Sequence, residues 1–244
     1  MRTRLISCFA VAGLALVMGA CGTGPGSRPH VADTAAPAPA PAPAPPEAGA
    51  NVARATTDTV AVFDAPDPNA SVTELAGTSD FGFRRAFLVV GEDGDFLEVL
   101  LPERPNGTIG WLRAADVAVE SVSHRLEIDL AARTLRWLDD GEVILETPVA
   151  IGAPEYPTPT GQFFVTDLLD TGDGASDYGP FAAGLSGFSV LTEFAGGDGQ
   201  IGIHGTNDPS SIGRDVSHGC VRVPNDVITQ LATTIPIGTP VLVT

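Results

Sequence analysis

The sequence predicts a mainly β protein: a small β-barrel followed by a β-sandwich with one short helix. Three observations support this class. The 244 residues include 28 Gly and 21 Pro, a composition typical of turn-rich β structure. Short β-type runs recur between clusters of Gly, Pro, Asp and Asn from about residue 51 onward. One segment near the C-terminus, with Val227, Ile228, Leu231 and Ala232, has apolar residues at helical spacing.

The charge balance narrows the classes of partner. Thirty Asp and Glu residues face 13 basic ones, giving a net charge of −17, and every basic residue is Arg. This balance argues against a nucleic-acid partner and against binding to anionic lipid by charge. The hydrophobic fraction of 43% is enough for real cores and argues against a wholly disordered chain.

The N-terminus has the pattern of an export signal. Arg2 and Arg4 precede an apolar run from Leu5 to Met18, which is too short for a comfortable membrane-spanning helix. The run ends in Met18-Gly19-Ala20-Cys21, which resembles the bacterial lipoprotein box, whose cysteine is diacylated after cleavage. We therefore expect a signal peptide over residues 1–20 and an exported lipoprotein, anchored to the membrane through Cys21 and facing the cell wall or periplasm. The alternative is an ordinary secretory signal with a chance cysteine.

A linker rich in Pro and Ala follows over residues 21–50. Its Ala-Pro alternation from Ala36 to Pro46 favours polyproline II and cannot fold alone. The cysteine count is informative here. Cys8 leaves with the signal and lipid would block Cys21, so Cys220 has no disulfide partner, and a lone thiol in an exported protein suggests reactivity.

The first folded domain is predicted over residues 51–120. Short strands are expected at 60–63, 87–90, 96–101 and 108–112. The hairpin-like run Gly91 to Asp95 and the closing Gly110-Trp111-Leu112 resemble bacterial SH3-like domains that associate with the cell wall. The resemblance implies a small barrel and a role in binding wall material, although Trp111 is also consistent with an ordinary core or edge aromatic.

The second domain is predicted over residues 121–244. Apolar residues alternate along 126–130, and Asp139-Asp140-Gly141 between two β-type runs predicts a hairpin. Further strands are expected at 162–167, 189–192, 200–204 and 239–243, and the helix should start near Pro224. Residues 168–187, with Tyr178 and Phe181, are expected to form a loop that covers a substrate cleft. The alternative is a surface loop whose two aromatic residues only pack it against the domain.

The chemistry is concentrated between His204 and Arg222. A thiol of ordinary pKa, about 8.5, is a poor nucleophile and needs a nearby imidazole. His218 lies two residues before Cys220 and His204 lies sixteen before it. Gly219 lets the backbone turn tightly, so its amide and that of Cys220 could face a developing oxyanion. A zinc site from the two histidines and the cysteine has suitable ligand types but no clear fourth ligand, so no metal is expected.

Two sequence blocks resemble the L,D-transpeptidases of the YkuD type, which join stem peptides of bacterial peptidoglycan. The first block is His204-Gly205, Gly213, Ser217-His218-Gly219-Cys220-Val221-Arg222 and Asp226; the second is Thr158-Pro159-Thr160-Gly161-Gln162-Phe163. The resemblance covers residues 122–244. It implies an enzyme that needs no cofactor. It also implies that carbapenems acylate the thiol of this enzyme.

The resemblance also implies residue roles. Cys220 would attack the carbonyl between meso-diaminopimelate and D-Ala of a tetrapeptide stem, and His204 would act as base, oriented by a carbonyl near Gly205. His218 would line the site, and the amides of Gly219 and Cys220 would form the oxyanion hole. The candidate substrate-binding residues are Arg222, Tyr178, Ser217 and Gly205. For Arg222, the alternative is an ion pair with Asp226.

The resulting prediction is a peptidoglycan L,D-transpeptidase, active in cell-wall synthesis and cell shape, that makes 3→3 crosslinks as a monomer. Three alternatives stay open. Water could replace the acceptor amine, giving an L,D-carboxypeptidase. The amine of another protein could be the acceptor. The chain could also be a catalytically inactive lipoprotein that binds the wall.

Overall fold

A computed structural model describes residues 49–172, 174–194 and 196–244. The predicted signal peptide, the lipidation site Cys21 and the linker up to residue 48 lie outside the described residues. Within the described ranges, no helix has the length and apolar character needed to cross a membrane.

The N-terminal sheet is antiparallel and has the order β3-β2-β6-β5-β4-β1-β7. Its seven strands are β1 (Ala50–Ala55), β2 (Thr59–Phe63), β3 (Val72–Ala76), β4 (Ala86–Asp93), β5 (Phe96–Leu100), β6 (Ile109–Arg113) and β7 (Val117–Val122). The four predicted strands correspond to β2, β4, β5 and β6, whereas β1, β3 and β7 were missed. Phe87 and Leu112 are fully buried in its core, while Trp111 is half-buried on β6. The SH3-like character of this domain stays a prediction.

The second sheet has eight strands in the order β10-β9-β8-β17-β12-β13-β14-β16, and β11 pairs separately with β15. The strands are β8 (His124–Asp129), β9 (Thr134–Asp139), β10 (Glu142–Pro148), β11 (Ile151–Gly152), β12 (Gly161–Asp170), β13 (Phe181–Phe188), β14 (Gln200–His204), β15 (Asp215–Ser217), β16 (Val221–Arg222) and β17 (Pro240–Val243). The single α-helix among the described residues, α1 (Asn225–Thr234), buries Val227, Ile228 and Leu231 against this sheet. The mainly β prediction with one short helix is confirmed.

The predicted loop over residues 168–187 is wrong in most of its length. Strand β12 continues to Asp170 and β13 begins at Phe181, so the loop spans only residues 171–180, and the strand predicted at 189–192 does not form. The Gly- and Ala-rich sequence of β13 has a packing reason. A Cβ added at Gly187 would lie 2.5 Å from the Phe163 ring, and one at Gly184 would lie 3.2 Å from the Asp167 carboxylate. Small residues let β12 and β13 approach closely at the expense of local strand propensity.

The two sheets are packed against each other through shared apolar clusters. Ala50, Leu88 and Leu100 of the N-terminal sheet bury Phe164 of β12. A second cluster joins Val52, Ala86 and Val122 to the half-buried Ile237. The described residues from 49 onward accordingly belong to one compact unit, in which the N-terminal sheet contacts the domain that carries Cys220.

Candidate active site

Strand pairing brings the two halves of the predicted site together. β14 and β16 are parallel neighbours, with Ile203 opposite Val221 and His204 opposite Arg222. Cys220 immediately precedes β16, and its sulfur accepts a hydrogen bond from the backbone of Gly202. One strand, β14, therefore supplies both the histidine and a backbone donor to the thiol. The fifteen residues between His204 and Cys220 are closed into a loop by this parallel pair.

His204 is buried, with 6% of its surface exposed, and is held in one orientation. Its Nδ1 atom lies 2.6 Å from the carbonyl oxygen of Gly205. Because a carbonyl only accepts, Nδ1 must carry the proton, which leaves Nε2 of the neutral ring as a proton acceptor. The pKa of His204 is lowered from 6.5 to about 4, chiefly by burial and to a smaller extent by the positive charge of Arg222, against the hydrogen bond to Gly205, which raises it. The imidazole is thus a neutral base at physiological pH.

The Cys220 thiol is also neutral at rest. Burial raises the pKa of Cys220, and the opposing effects of the Gly202 hydrogen bond and the Arg222 charge are smaller. The site therefore holds a neutral thiol at the start of β16 and a neutral imidazole on the neighbouring strand β14, instead of a thiolate and an imidazolium. Such a thiol becomes nucleophilic only as its proton is removed, which is the task of a general base.

Ser217 shapes the turn that presents Cys220. Its hydroxyl accepts from the Gly219 N–H at 3.2 Å and donates to the Cys220 carbonyl. Only 2% of Ser217 is exposed, and through these two bonds it supports the turn. The substrate contact predicted for Ser217 stays a prediction. The Gly219 amide is engaged in this bond, so Cys220 N–H is the remaining donor of the predicted oxyanion pair. Gly219 has φ +118°, and a Cβ there would lie 2.8 Å from Ser189 Cβ.

Asn225, the first residue of α1, is a site residue that the sequence analysis missed. Its side-chain oxygen accepts from Thr206 N–H at 2.7 Å. A Cβ on Gly205 would lie 2.3 Å from that oxygen, and a Cβ on Gly179 would lie 2.5 Å from it. Gly205, predicted to bind substrate, is buried in this contact and holds His204 through its carbonyl. The sequence analysis placed only a helix start near Pro224 here, and no local pattern indicated the contact that Asn225 makes.

The loop over residues 171–180 places an aromatic ring over the base. Tyr178 is 39% exposed, and its ring centroid lies 4.8 Å from that of His204. Burial raises the pKa of Tyr178, and its electrostatic interactions with Cys220 and Asp177 add to this effect. Tyr178 is therefore close to both members of the candidate pair. Phe181, the other predicted loop aromatic, begins β13 and packs against the core.

His218 lies between two aromatic rings. Phe194 stacks on it at 4.6 Å between centroids, and Tyr156 lies at 5.0 Å. The loop that carries Tyr156 is closed by Thr158, whose hydroxyl accepts from Gly152 N–H at 2.9 Å. The imidazole remains exposed. Its role in lining the site stays a prediction, and its two aromatic neighbours were not evident from the sequence.

Arg222 is a cation with unused donor capacity. Its Nε atom is buried and has no hydrogen-bond partner within the described part of the chain. No ion pair between Arg222 and Asp226 occurs among the described ion pairs, each of which joins other residues. Its charge lowers the pKa of Cys220, His204 and Asp208. Across the described ranges, no group of three or more His, Cys, Asp or Glu side chains is arranged to hold a metal ion.

Comparison with known proteins identifies the family of the domain that carries these residues. Residues 123–243 match the sequence model of the YkuD family, described as the L,D-transpeptidase catalytic domain. The putative L,D-transpeptidase YkuD of Bacillus licheniformis is 34% identical over 125 residues, which cover 51% of this chain and 68% of that protein. The chain belongs to the YkuD family of L,D-transpeptidases.

Other YkuD-family proteins and structures match the same region. The putative L,D-transpeptidase YqjB of Bacillus subtilis is 41% identical over 104 residues, covering 39% of this chain and 57% of that protein. The catalytic domain of an E. faecium L,D-transpeptidase acylated by ertapenem is 30% identical, covering 50% of this chain and 96% of that one, with a TM-score of 0.38. In the present chain, the region that matches the YkuD family contains His204, Cys220 and the residues that hold them.

Proposed function

We propose that the protein is a peptidoglycan L,D-transpeptidase that forms 3→3 crosslinks between stem peptides through a thioester on Cys220. The observation that carries the proposal is the tautomer of His204. Its Nδ1 is tied to the Gly205 carbonyl, which leaves Nε2 free as a base on the strand whose Gly202 bonds the Cys220 sulfur. This pairing is what a cysteine acyl transfer requires.

In the first half-reaction, the Cys220 sulfur attacks the carbonyl between meso-diaminopimelate and the terminal D-Ala of a tetrapeptide donor. His204 Nε2 takes the thiol proton as the C–S bond forms. The C–N bond then breaks, the same proton passes to the leaving amine, and D-Ala departs. The product is an acyl-enzyme in which the donor stem is a thioester of Cys220, with His204 neutral again.

In the second half-reaction, the side-chain amine of a diaminopimelate in another stem attacks the thioester. His204 accepts the proton that this amine loses as the amide bond forms. The C–S bond breaks, and the proton returns to the sulfur. The pair is thereby restored, and the two stems are joined from position 3 to position 3.

Arg222 and Tyr178 are the proposed substrate contacts. Arg222 brings a positive charge and a buried Nε without a partner to the edge of the pair, and a guanidinium binds a carboxylate in a bidentate manner. Stem peptides carry such carboxylates. Tyr178 lies over His204, where its ring would cover a bound donor. Both roles were predicted from the sequence and remain proposals.

The test is a product assay with a diaminopimelate-containing disaccharide tetrapeptide, using residues 49–244 and the Cys220→Ala variant. A muropeptide dimer that has lost one D-Ala, formed only when Cys220 is present, supports the proposal. Tripeptide without dimer would indicate an L,D-carboxypeptidase. Neither product, with no carbapenem adduct on folded protein, would indicate an inactive protein that binds the wall.

The location is proposed from the sequence alone. Residues 1–20 and Cys21 have the pattern of an exported lipoprotein, which would hold the enzyme at a membrane facing its peptidoglycan substrate. Fractionation of cells that express the full chain tests this proposal. The wild type should be found with membranes, and the Cys21→Ser variant should not.

A further inference from the structure

The N-terminal domain reaches the active-site region through the loop between β5 and β6. Arg104 of this loop donates three hydrogen bonds to backbone carbonyls of the catalytic domain. One terminal nitrogen of Arg104 donates to the backbone carbonyl of Ser189 at 2.8 Å. The other donates to the backbone carbonyls of Leu191 at 2.7 Å and of Asp198 at 2.9 Å. The same guanidinium lies 4.8 Å from the centre of the Phe188 ring.

Asn106 adds a second attachment two residues later. Its side-chain nitrogen donates to the Phe188 carbonyl at 2.8 Å, and its side-chain oxygen accepts from the Phe188 N–H at 2.9 Å. The amide therefore pairs with the backbone of Phe188 much as a neighbouring strand would. We refer to Arg104 and Asn106 together as the clamp.

The clamp holds both ends of a segment that borders Cys220. Ser189 and Asp198 lie near the two ends of residues 189–199, and both give their carbonyls to Arg104. Between them, Phe194 exchanges two backbone hydrogen bonds of 2.9 Å with Gly197 and stacks on His218. Because residues 189–192 form no strand, these contacts from another domain take the place of a sheet ladder.

The held segment touches the nucleophile's turn at two points. Ser189 is 4% exposed and lies so close to Gly219 that an added Cβ there would be 2.8 Å away. Phe194 lies on His218, one residue before Gly219. A shift of the 189–199 segment would therefore move the surroundings of Cys220 directly.

We propose that Arg104 is a positioning residue for the transfer reaction, acting through Phe194. The N-terminal domain, by its clamp, holds Phe194 against His218 and thereby fixes one side of the turn that carries Cys220. This inference rests on the proposed function. Arg104 itself touches no reacting atom, so its contribution is geometric, and small misplacements at an acyl-transfer site can cost large factors in rate.

The first test measures kcat/KM for Cys220 acylation by the tetrapeptide donor in Arg104→Ala. We expect a loss of roughly 10- to 100-fold, partly restored in Arg104→Lys, which can still donate to carbonyls. The matched control is Arg54→Ala, since Arg54 of β1 also donates across the domains, to the Ile237 carbonyl at 3.3 Å, but away from the site. Arg54→Ala should keep the wild-type rate, and an equal loss in both variants would overturn the proposal.

The second test reads the geometry without activity. In the wild type, the two neighbouring rings should shift the NMR signals of the His218 imidazole, and Arg104→Ala or Asn106→Ala should move them toward the position of an unstacked histidine. Unchanged His218 signals in a variant that has lost activity would overturn the proposed route through Phe194. This readout stays valid even if the wild type forms no acyl-enzyme, a result that would count against the proposed function alone.

The third test is a double-mutant cycle. In a Phe194→Leu background, Arg104→Ala should reduce the acylation rate much less than it does in the wild type, because the contact through which it acts is already lost. Full additivity of the two effects would contradict the proposal.

Discussion

His204 combines two properties that follow from its place at the end of β14. The Gly205 carbonyl sets the tautomer, and burial keeps the ring neutral. Cys220 is neutral for the same reason, since burial raises its pKa. At the scale of single residues, the mechanism is therefore general-base activation of a thiol, and its pH dependence is set by His204 on the acid side.

Replacing His204 by Asn separates its two roles. The Asn side-chain nitrogen can take the place of Nδ1 and keep the hydrogen bond to Gly205, but no atom replaces Nε2. We expect acylation of Cys220 to fall by roughly 10²- to 10⁴-fold in a folded protein. In the wild type, kcat/KM should fall on the acid side near pH 4 instead of near 6.5. Mass spectrometry measures the acylation of Cys220 in each protein. A near-normal rate in His204→Asn would show that His204 is not the general base.

The same pKa has a consequence for stability. Between pH 6.5 and about 4, the unfolded chain protonates His204 and the folded chain does not. The unfolded state then binds more protons, so the free energy of unfolding should fall as pH drops through this window, by up to about 3 kcal/mol. Urea unfolding at several pH values should show this loss in the wild type and a smaller loss in His204→Asn. Identical pH dependence in the two proteins would contradict the assignment.

At this scale the sequence identified Cys220, His204 and the Gly205 carbonyl contact because they lie in short motifs. The sequence analysis did not identify Asn225, Tyr156 and Phe194. These residues reach the site from separate elements, and contacts between separate elements leave no local sequence pattern. The hydrogen bonds that Ser217 makes within its turn could not be predicted from the sequence either, and its contact with substrate stays a prediction.

At the scale of elements, the loop over residues 171–180 is tied to the base. Thr171 and Ser176 both donate side-chain hydrogen bonds to the Gly179 carbonyl. Gly179 has φ +64° and packs on the His204 side of the site, where a Cβ would lie 2.7 Å from Gly205 Cα and from Thr206 N. The position of Tyr178 thus depends on the glycine that follows it.

Gly179→Ala should displace this loop. The left-handed backbone alone costs about 1–2 kcal/mol for a residue with a Cβ, and the overlap with the Gly205 backbone adds to it. We expect slower acylation of Cys220 and a lower melting temperature. Gly174→Ala, in the same loop, meets nothing within 4 Å and should match the wild type in both assays. Wild-type acylation by Gly179→Ala would show that the loop is not needed over His204.

The elements differ in how well they could be predicted. Hairpins with Gly turns, such as β9–β10, and the helix α1 carry local signals of period two or 3.6. Strand β13 carries no such signal. Its small residues allow close packing against β12 and β14 but have low strand propensity. The missed strand made the predicted loop too long.

At the scale of the whole molecule, the two sheets share buried apolar residues. Leu88 of β4 is fully buried in the cluster that also contains Phe164 of β12. Burial of this kind couples the stability of the two parts, since neither can unfold without exposing the other's surface. The contact between the two sheets could not be predicted from the sequence. The apolar residues of a strand have the same pattern whichever sheet they pack against.

Leu88→Ala tests this coupling. Removing the side chain should lower the free energy of unfolding by about 2–5 kcal/mol, and residues 49–244 should still unfold in a single thermal transition at a lower temperature. Val143→Ala is the control, since Val143 is 52% exposed and should change little. Two separate transitions, with only the first moved by Leu88→Ala, would contradict a shared core.

The most direct test of the account is the mass of the protein itself. Residues 49–244 are mixed with a disaccharide tetrapeptide without an acceptor, quenched in acid at short times and weighed intact. We expect a thioester adduct equal to the donor minus D-Ala, mapped to Cys220, absent in Cys220→Ala and strongly delayed in His204→Asn. An adduct on another residue, or equal adduct formation in His204→Asn, would contradict the central claim that His204 activates Cys220 for acyl transfer.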